Sequence, residues 1–171
     1  MAGRVAGIAA IVVMGVSGAG KSTVGKLIAA RLDCPFRDAD SFHPAANIAK
    51  MSRGEPLTDD DRWPWLNAIA AWIAEHRAAG TTCVVTCSAL KRRYRDIITS
   101  RQSADVRMVY LKGDFDLIAA RLKARKDHFM PPALLQSQFA ALEEPSADER
   151  AITASIDATP DEIAARALDK L

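Results

Sequence analysis

The 171-residue sequence predicts an α/β fold with a central parallel sheet, and three observations carry that expectation. A short apolar run, Ile8 to Met14, enters a glycine loop that leads straight into a helical segment. Further apolar runs then alternate with segments of helical periodicity as far as the C-terminus. Residues able to carry chemistry follow the apolar runs, at the carboxyl edge where open parallel sheets bind ligands.

The first run reads as a buried strand because it is short, uncharged and rich in β-branched residues. The loop is Gly15-Val16-Ser17-Gly18-Ala19-Gly20-Lys21-Ser22-Thr23. It fills every fixed position of a phosphate-binding P-loop, and its flanks are the strand and helix that such a loop requires. Its glycines allow backbone N–H groups to turn inward on an anion, and the following helix adds its positive end. Lys21 is then placed for the β- and γ-phosphates and the Ser22 hydroxyl for Mg²⁺. The segment predicts binding of a nucleoside triphosphate. Val24, Leu27, Ile28 and Leu32 share one face of the helix behind it.

Cys34 to Asp40 is expected to be a turn and a short second strand, ending in Asp38 and Asp40. Two residues apart on a strand, these carboxylates would share a side. They either flank a cation or substrate donor or form a solvated strand end. Pro44 opens a helix over 45–53, which Gly54 stops. The acids Asp59 to Asp61 are expected to cap the next helix, and Gly80 to close it. Its tryptophans, Trp65 and Trp72, lie at core spacing, a stacking platform being the other reading.

Thr81 to Cys87 is apolar enough for a central strand, followed by Ser88 and the basic cluster Lys91-Arg92-Arg93. Cations at a helix start oppose its dipole, so they face an anion or are merely solvated. Val106 to Leu111 is a fourth strand, and Asp114 caps a helix that buries Phe115, Ile118 and Leu122. The cation-dense stretch from Arg121 to Phe129, closed by Pro131-Pro132, reads as a flap over phosphates or as basic surface. Ile152 to Ile156 is a fifth strand. Thr159-Pro160-Asp161-Glu162 then starts a last helix burying Ile163, Ala167 and Leu168.

Composition narrows the partners. The size suits a single domain over residues 1–171, with 49% hydrophobic and 26% charged residues. A net charge of +2 argues against a general nucleic-acid or membrane binder, and no apolar run is long enough to cross a bilayer. The N-terminal stretch faintly resembles a signal peptide, but it feeds the phosphate loop directly, and cleavage there would destroy the site. Cys34, Cys83 and Cys87 form no C-x-x-C and cannot all pair, which fits a reducing cytoplasm. The three histidines, His43, His76 and His128, lack zinc-ligand spacing. No Asn-Lys-x-Asp guanine reader is present, since Asn47-Ile48-Ala49-Lys50 has the wrong spacing. Thr86, Cys87 and Ser88 also stand where a second Mg²⁺ acid is usual. Metal organisation is therefore expected from Ser22 with the Asp38/Asp40 pair, as suits a small-molecule kinase.

Several blocks together resemble the gluconokinases. They are Asp38-x-Asp40-x-Phe42-His43-Pro44, the stretch from Asn47 to Leu66, Cys87-Ser88-Ala89-Leu90-Lys91-x-x-Tyr94-Arg95-Asp96 and Tyr110-Leu111-Lys112-Gly113-Asp114-Phe115. Arg121-Leu122-x-x-Arg125-x-x-His128-Phe129 and Gln138-Phe139-x-x-Leu142-Glu143-x-Pro145 complete the set. The likeness runs from about residue 8 to the C-terminus. It implies transfer of the ATP γ-phosphoryl group to the 6-hydroxyl of D-gluconate in the cytoplasm. It also implies the P-loop fold of nucleoside-monophosphate and shikimate kinases, with a five-stranded parallel sheet, a lid over about 121–140 and a possible homodimer.

Carried over with it are nucleotide contacts at residues 15–23, a metal-side role for Ser22 and Asp38, and catalytic roles for Lys21 and for Asp40 on the acceptor hydroxyl. Arg121, Arg125 and Pro160 fall to the nucleotide side, and His43, Arg62, Ser88, Lys91 and Arg95 to the substrate, the other readings being a helix-entry side chain for His43 and a capping-loop ion pair for Arg62. A shikimate-type or other sugar-acid kinase and a non-catalytic nucleotide sensor are the alternatives. The intact acid pair and cationic segment count against the sensor.

Overall fold

The computed structural model describes residues 4–101, 103–125 and 132–171. Strand β1 (Ala10–Met14) and helix α1 (Lys21–Leu32) flank the glycine loop. Strand β2 (Phe36–Asp38) passes into a 3₁₀ turn (Ala39–Phe42), followed by α2 (Ala45–Ser52) and α3 (Asp59–Ala79). Then come β3 (Cys83–Thr86), α4 (Arg92–Ile98), β4 (Val106–Lys112), α5 (Phe115–Ala124) and α6 (Pro132–Ala141). A second 3₁₀ turn (Ala147–Glu149), β5 (Ile152–Ser155) and α7 (Pro160–Asp169) complete the chain.

The five strands form one sheet in the order β2-β3-β1-β4-β5, and every pairing is parallel. The expected fold class is therefore the observed one. β1 is buried on both faces, which is why it reads as an unbroken apolar run and not as an alternation. Ile11 and Val13 face Val24 and Ile28 of α1, together with Ile118, Leu135 and Ile163 of the later helices. Ala10, Val12 and Met14 face Trp65, Leu66, Ile69 and Ile73 of α3 and Tyr94 and Ile98 of α4. The register sets Asp38 opposite Thr86, Thr86 opposite Val13 and Met14 opposite Tyr110. The loops after β1, β2 and β3 thus open at one edge.

Three local expectations are corrected. β2 ends at Asp38, so Asp40 lies in the 3₁₀ turn and not on the strand. The reason is that Asp38 caps that turn, its Oδ1 accepting from the Asp40 N–H at 3.1 Å. α3 is capped by Thr58, in a reciprocal box with Asp61, and the three acids occupy its first turn. Leu168 is only half-buried, and Ala164 takes the inner place beside Ile163 and Ala167. Of the segment expected as a lid, residues 126–131, including His128 and Phe129, lie outside the described residues.

Arg95 receives a different position from the substrate contact expected for it. It is 1% exposed, with Nε and Nη2 donating to the two carboxylate oxygens of Glu149 at 2.6 and 3.0 Å. Nη1 donates to the carbonyls of Ala89 (2.9 Å) and Leu90 (3.3 Å). The guanidinium thus clamps the loop after β3, where Ala89 has a left-handed φ of 47°. It is a strut beneath the site.

Burial pushes the Glu149 carboxyl up, but hydrogen bonds from Arg95 and Ser146 carry it below its usual value. The resulting stability is present above the unfolded carboxylate pKa and is lost as pH falls through the lower folded value. Arg95→Ala strands a carboxylate that is 4% exposed, and is expected to cost about 3–5 kcal/mol in urea unfolding. Below about pH 4 the deficit should shrink, because the stranded acid gains by protonation. A variant within about 1 kcal/mol of the wild type at pH 7 would contradict this role.

Candidate active site

At the end of β1 the chain turns through Gly18 (φ 84°) and Gly20 (φ 91°), angles that side chains with a Cβ rarely adopt. A Cβ on Gly18 would also stand 2.8 Å from Leu122 of α5, so the loop packs directly on that helix. Gly20 caps α1 without any side-chain hydrogen bond. The first-turn N–H groups of Lys21, Ser22 and Thr23 have no acceptor within the helix and form a natural anion seat. Val16 and Ala19 are buried; the loop is closed by an Ala19 N–H to Val16 carbonyl bond of 3.2 Å and anchored by Gly15 N–H to the Ser88 carbonyl at 3.3 Å. Ser88 therefore enters the site through its backbone.

Lys21 Nζ donates to the Val16 carbonyl at 3.0 Å, folded over the loop. Burial lowers its pKa, against the opposing pull of Cys87, Asp38 and Asp40, and the charge of Arg125 lowers it further. Arg121 Nη2 donates to the Ile156 carbonyl at 2.6 Å, which ties α5 to the connection between β5 and Pro160 at the start of α7.

Asp38 is held on three sides. Ser22 Oγ donates to its Oδ2 at 2.7 Å, the Asp40 N–H to its Oδ1, and the Thr86 hydroxyl also bonds to it. Burial pushes this carboxyl up, but those hydrogen bonds and the charge of Lys21 bring it below the usual range. The Asp40 carboxylate makes no hydrogen bond among the described residues, and its charge acts on both Lys21 and His43. The turn that carries it is tied down by Trp65, whose Nε1 donates to the Ala39 carbonyl at 2.8 Å. Trp65 is core, as its spacing predicts, and also fixes the turn that carries Asp40.

The ring of His43 stacks on Trp65 at 4.4 Å and 13°. Asn47 Nδ2 donates to the Asp61 carbonyl at 2.8 Å and lies 3.3 Å from His43 Nδ1. Nδ1 is then the acceptor, which leaves the proton on Nε2. Burial lowers the His43 pKa, Asp40 opposes the shift and Arg62 adds to it, which favours the neutral ring. Arg62 Nη1 lies 3.3 Å from Tyr94 Oη and 3.5 Å from Asp59 Oδ1, and Tyr94 Oη donates to Asp59 at 2.6 Å. Arg93 pairs with Asp59, and Lys91 Nζ stands 6.0 Å from the Tyr94 ring centre. Arg62, Lys91 and Arg93 gather around Tyr94, with Asp59 bonded to two of them. Arg92 is taken by Asp148 at 2.6 Å.

Comparisons with known proteins bear on the family. The sequence model of the shikimate kinase family matches residues 17–171. A probable gluconokinase of Mus musculus is 46% identical over 94% of this chain and 96% of its own length. The chain belongs to the gluconokinase family. It is a kinase. The thermoresistant gluconokinase of Escherichia coli K12 is 48% identical over 81% of this chain and 78% of its own. The crystal structure of a gluconokinase from Sinorhizobium meliloti superposes with a TM-score of 0.84, at 45% identity over 94% of this chain and 90% of that one.

Sequence reasoning did not single out Asp59, Tyr94, Asn47, Thr86 or Gln138 as parts of the site. Asp59 and Tyr94 are 35 residues apart, and Gln138 is 121 from the Ser17 it bonds, so no local spacing announces them. Gln138 stands in the block that resembles the family and within the segment expected as a lid, with no link to Ser17.

Proposed function

We propose that the protein transfers the γ-phosphoryl group of ATP to the 6-hydroxyl of D-gluconate, forming 6-phospho-D-gluconate and ADP. The observation that supports this reading is the phosphate loop whose Ser22 Oγ donates to Asp38 at 2.7 Å, with Asp40 on the adjoining turn, in a chain similar to gluconokinases over most of its length. Residues 15–23 form the phosphate seat, with the first-turn amides of Lys21, Ser22 and Thr23 and the Lys21 ammonium facing the β- and γ-phosphates, and Lys21 meets the charge that develops on the transferring group. Arg121, Arg125 and Pro160 serve the nucleotide. The neutral His43 offers its Nε2–H to a polyol hydroxyl, and Arg62 and Lys91 supply the positive charge an aldonate carboxylate needs. Ser88 shapes the floor between them. Asp40 orients the acceptor hydroxyl and accepts its proton as the oxygen attacks phosphorus and ADP departs.

Ser22 and Asp38 form a small oxygen-donor pair, and no cluster of three or more His, Cys, Asp or Glu that could hold a metal occurs among the described residues. Such a pair fits Mg²⁺, which takes most of its ligands from water and phosphate. When bound, Mg²⁺ would neutralise the phosphate oxygens. The single domain, its lid, a cytoplasmic location and a homodimer belong to the same reading. No helix among the described residues is long and apolar enough to cross a membrane.

An ADP-release assay over gluconate, other sugar acids, shikimate and nucleoside monophosphates tests the acceptor. Gluconate should exceed the rest in kcat/KM by on the order of 10²-fold or more, since a site built to bond hydroxyls and a carboxylate rejects acceptors lacking them. Equal or greater turnover of shikimate would replace this reading with a shikimate-type one.

A further inference from the structure

Gln138 of α6 makes two hydrogen bonds to a single residue of the phosphate loop. The Ser17 N–H donates to its Oε1 at 2.7 Å, and its Nε2 donates to Ser17 Oγ at 2.9 Å. Ser17 directly precedes Gly18, the turn at the loop's crest. α6 is itself well anchored: Leu135 is 1% exposed and the Phe139 ring packs edge-on against Phe115 at 5.6 Å. Beyond α6 the Glu143 N–H donates to the Leu90 carbonyl at 2.7 Å, and the Glu143 carboxylate accepts from the Arg92 N–H at 2.9 Å. One continuous segment thus joins the nucleotide loop to the loop that carries Ser88 and Lys91.

The chemistry of the contact is selective. A carboxylate of the same length could accept from the Ser17 N–H and, once the hydroxyl turned to donate, from Oγ as well. Hydrogen bonding alone would therefore tolerate glutamate at this position. A negative charge beside a polyphosphate would not be tolerated, whereas a neutral amide satisfies Ser17 without repelling the ligand.

We propose that Gln138 is a positioning residue for the nucleotide: its neutral amide holds Ser17, and with it the crest of the loop, in the phosphate-binding conformation. The proposal rests on the reading of residues 15–23 as the phosphate seat and names a residue that acts on that seat from another helix.

Calorimetric titration with a non-hydrolysable ATP analogue and with ADP, steady-state kinetics and thermal melting on Gln138→Ala and Gln138→Glu test it. Gln138→Ala should raise the analogue Kd and the KM for ATP about tenfold, with the acceptor KM within about twofold. Gln138→Glu should melt like the wild type yet raise the analogue Kd about 100-fold, more than for ADP, the excess shrinking with added salt. A Glu variant that binds both nucleotides like the wild type would reduce the contact to a structural tie and overturn the proposal. So would an Ala variant whose two KM values move together, or neither of which moves. Failure of the unsubstituted protein to bind the analogue would overturn the phosphate-seat reading and the proposal with it.

Discussion

Asp40→Asn is expected to lower kcat by ~10²–10⁴-fold with nucleotide affinity little changed. The substitution keeps the shape of the side chain and removes the proton acceptor. The position of Asp40 is insulated from that change, because the turn is held by Asp38 Oδ1 on the Asp40 N–H and by Trp65 Nε1 on the Ala39 carbonyl. Phosphoryl transfer through a loose transition state demands little basicity, so the residue acts by orienting the hydroxyl and taking its proton late. Asp38→Asn provides the contrast. Its oxygens already accept from Ser22 and the Asp40 N–H, so its loss should weaken Mg²⁺-dependent nucleotide binding and disturb the turn as well. Single-turnover rates and nucleotide Kd values for both variants decide the matter. Should Asp38→Asn give the pure kcat effect and Asp40→Asn the binding effect, the two roles are exchanged; if neither variant loses turnover, the acids are structural.

Lys21→Ala is expected to reduce turnover by about 10²-fold or more, a loss of ~3 kcal/mol or more of transition-state stabilisation. The fold should survive it. Lys21 is the first residue of α1, where alanine is fully compatible with the helix, and burial already disfavours the ammonium. The melting temperature should stay level or rise, while ATP turnover falls at saturating acceptor. Turnover within threefold of the wild type would remove the phosphate loop from the mechanism.

Much of the fold was legible because its signals are local. The loop from Gly15 to Thr23 states its conformation through adjacent residues, and the cap of α7, Thr159 with Glu162, reads directly as a helix start. The parallel sheet was legible for the same reason, since β1 and β3, buried on both faces, are written as short unbroken apolar runs. The end of β2 was harder, because three residues carry almost no periodicity and the aspartate that closes the strand also opens the turn.

Charge was where local reading met its limit. The cations opening α4, Lys91 to Arg93, read as candidates to face an anion, and the folded chain supplies carboxylates for two of them. Arg92 meets Asp148 and Arg93 meets Asp59, while Arg95, expected at the substrate, is buried on Glu149, 54 residues further on. Among the cations expected at the substrate, Arg62 and Lys91 remain near Tyr94, while Arg95 holds the loop from below.

By itself, then, the sequence determined a P-loop α/β fold, because backbone conformation, strand burial and helix starts depend on residues close along the chain, while the likeness to the gluconokinases rests on whole blocks of residues. The tertiary structure alone decided which acid leaves strand β2, which arginine is a strut and that Gln138 grips Ser17. Those outcomes depend on which distant side chains chain closure brings within hydrogen-bonding reach, and on how deeply each charge is taken out of water.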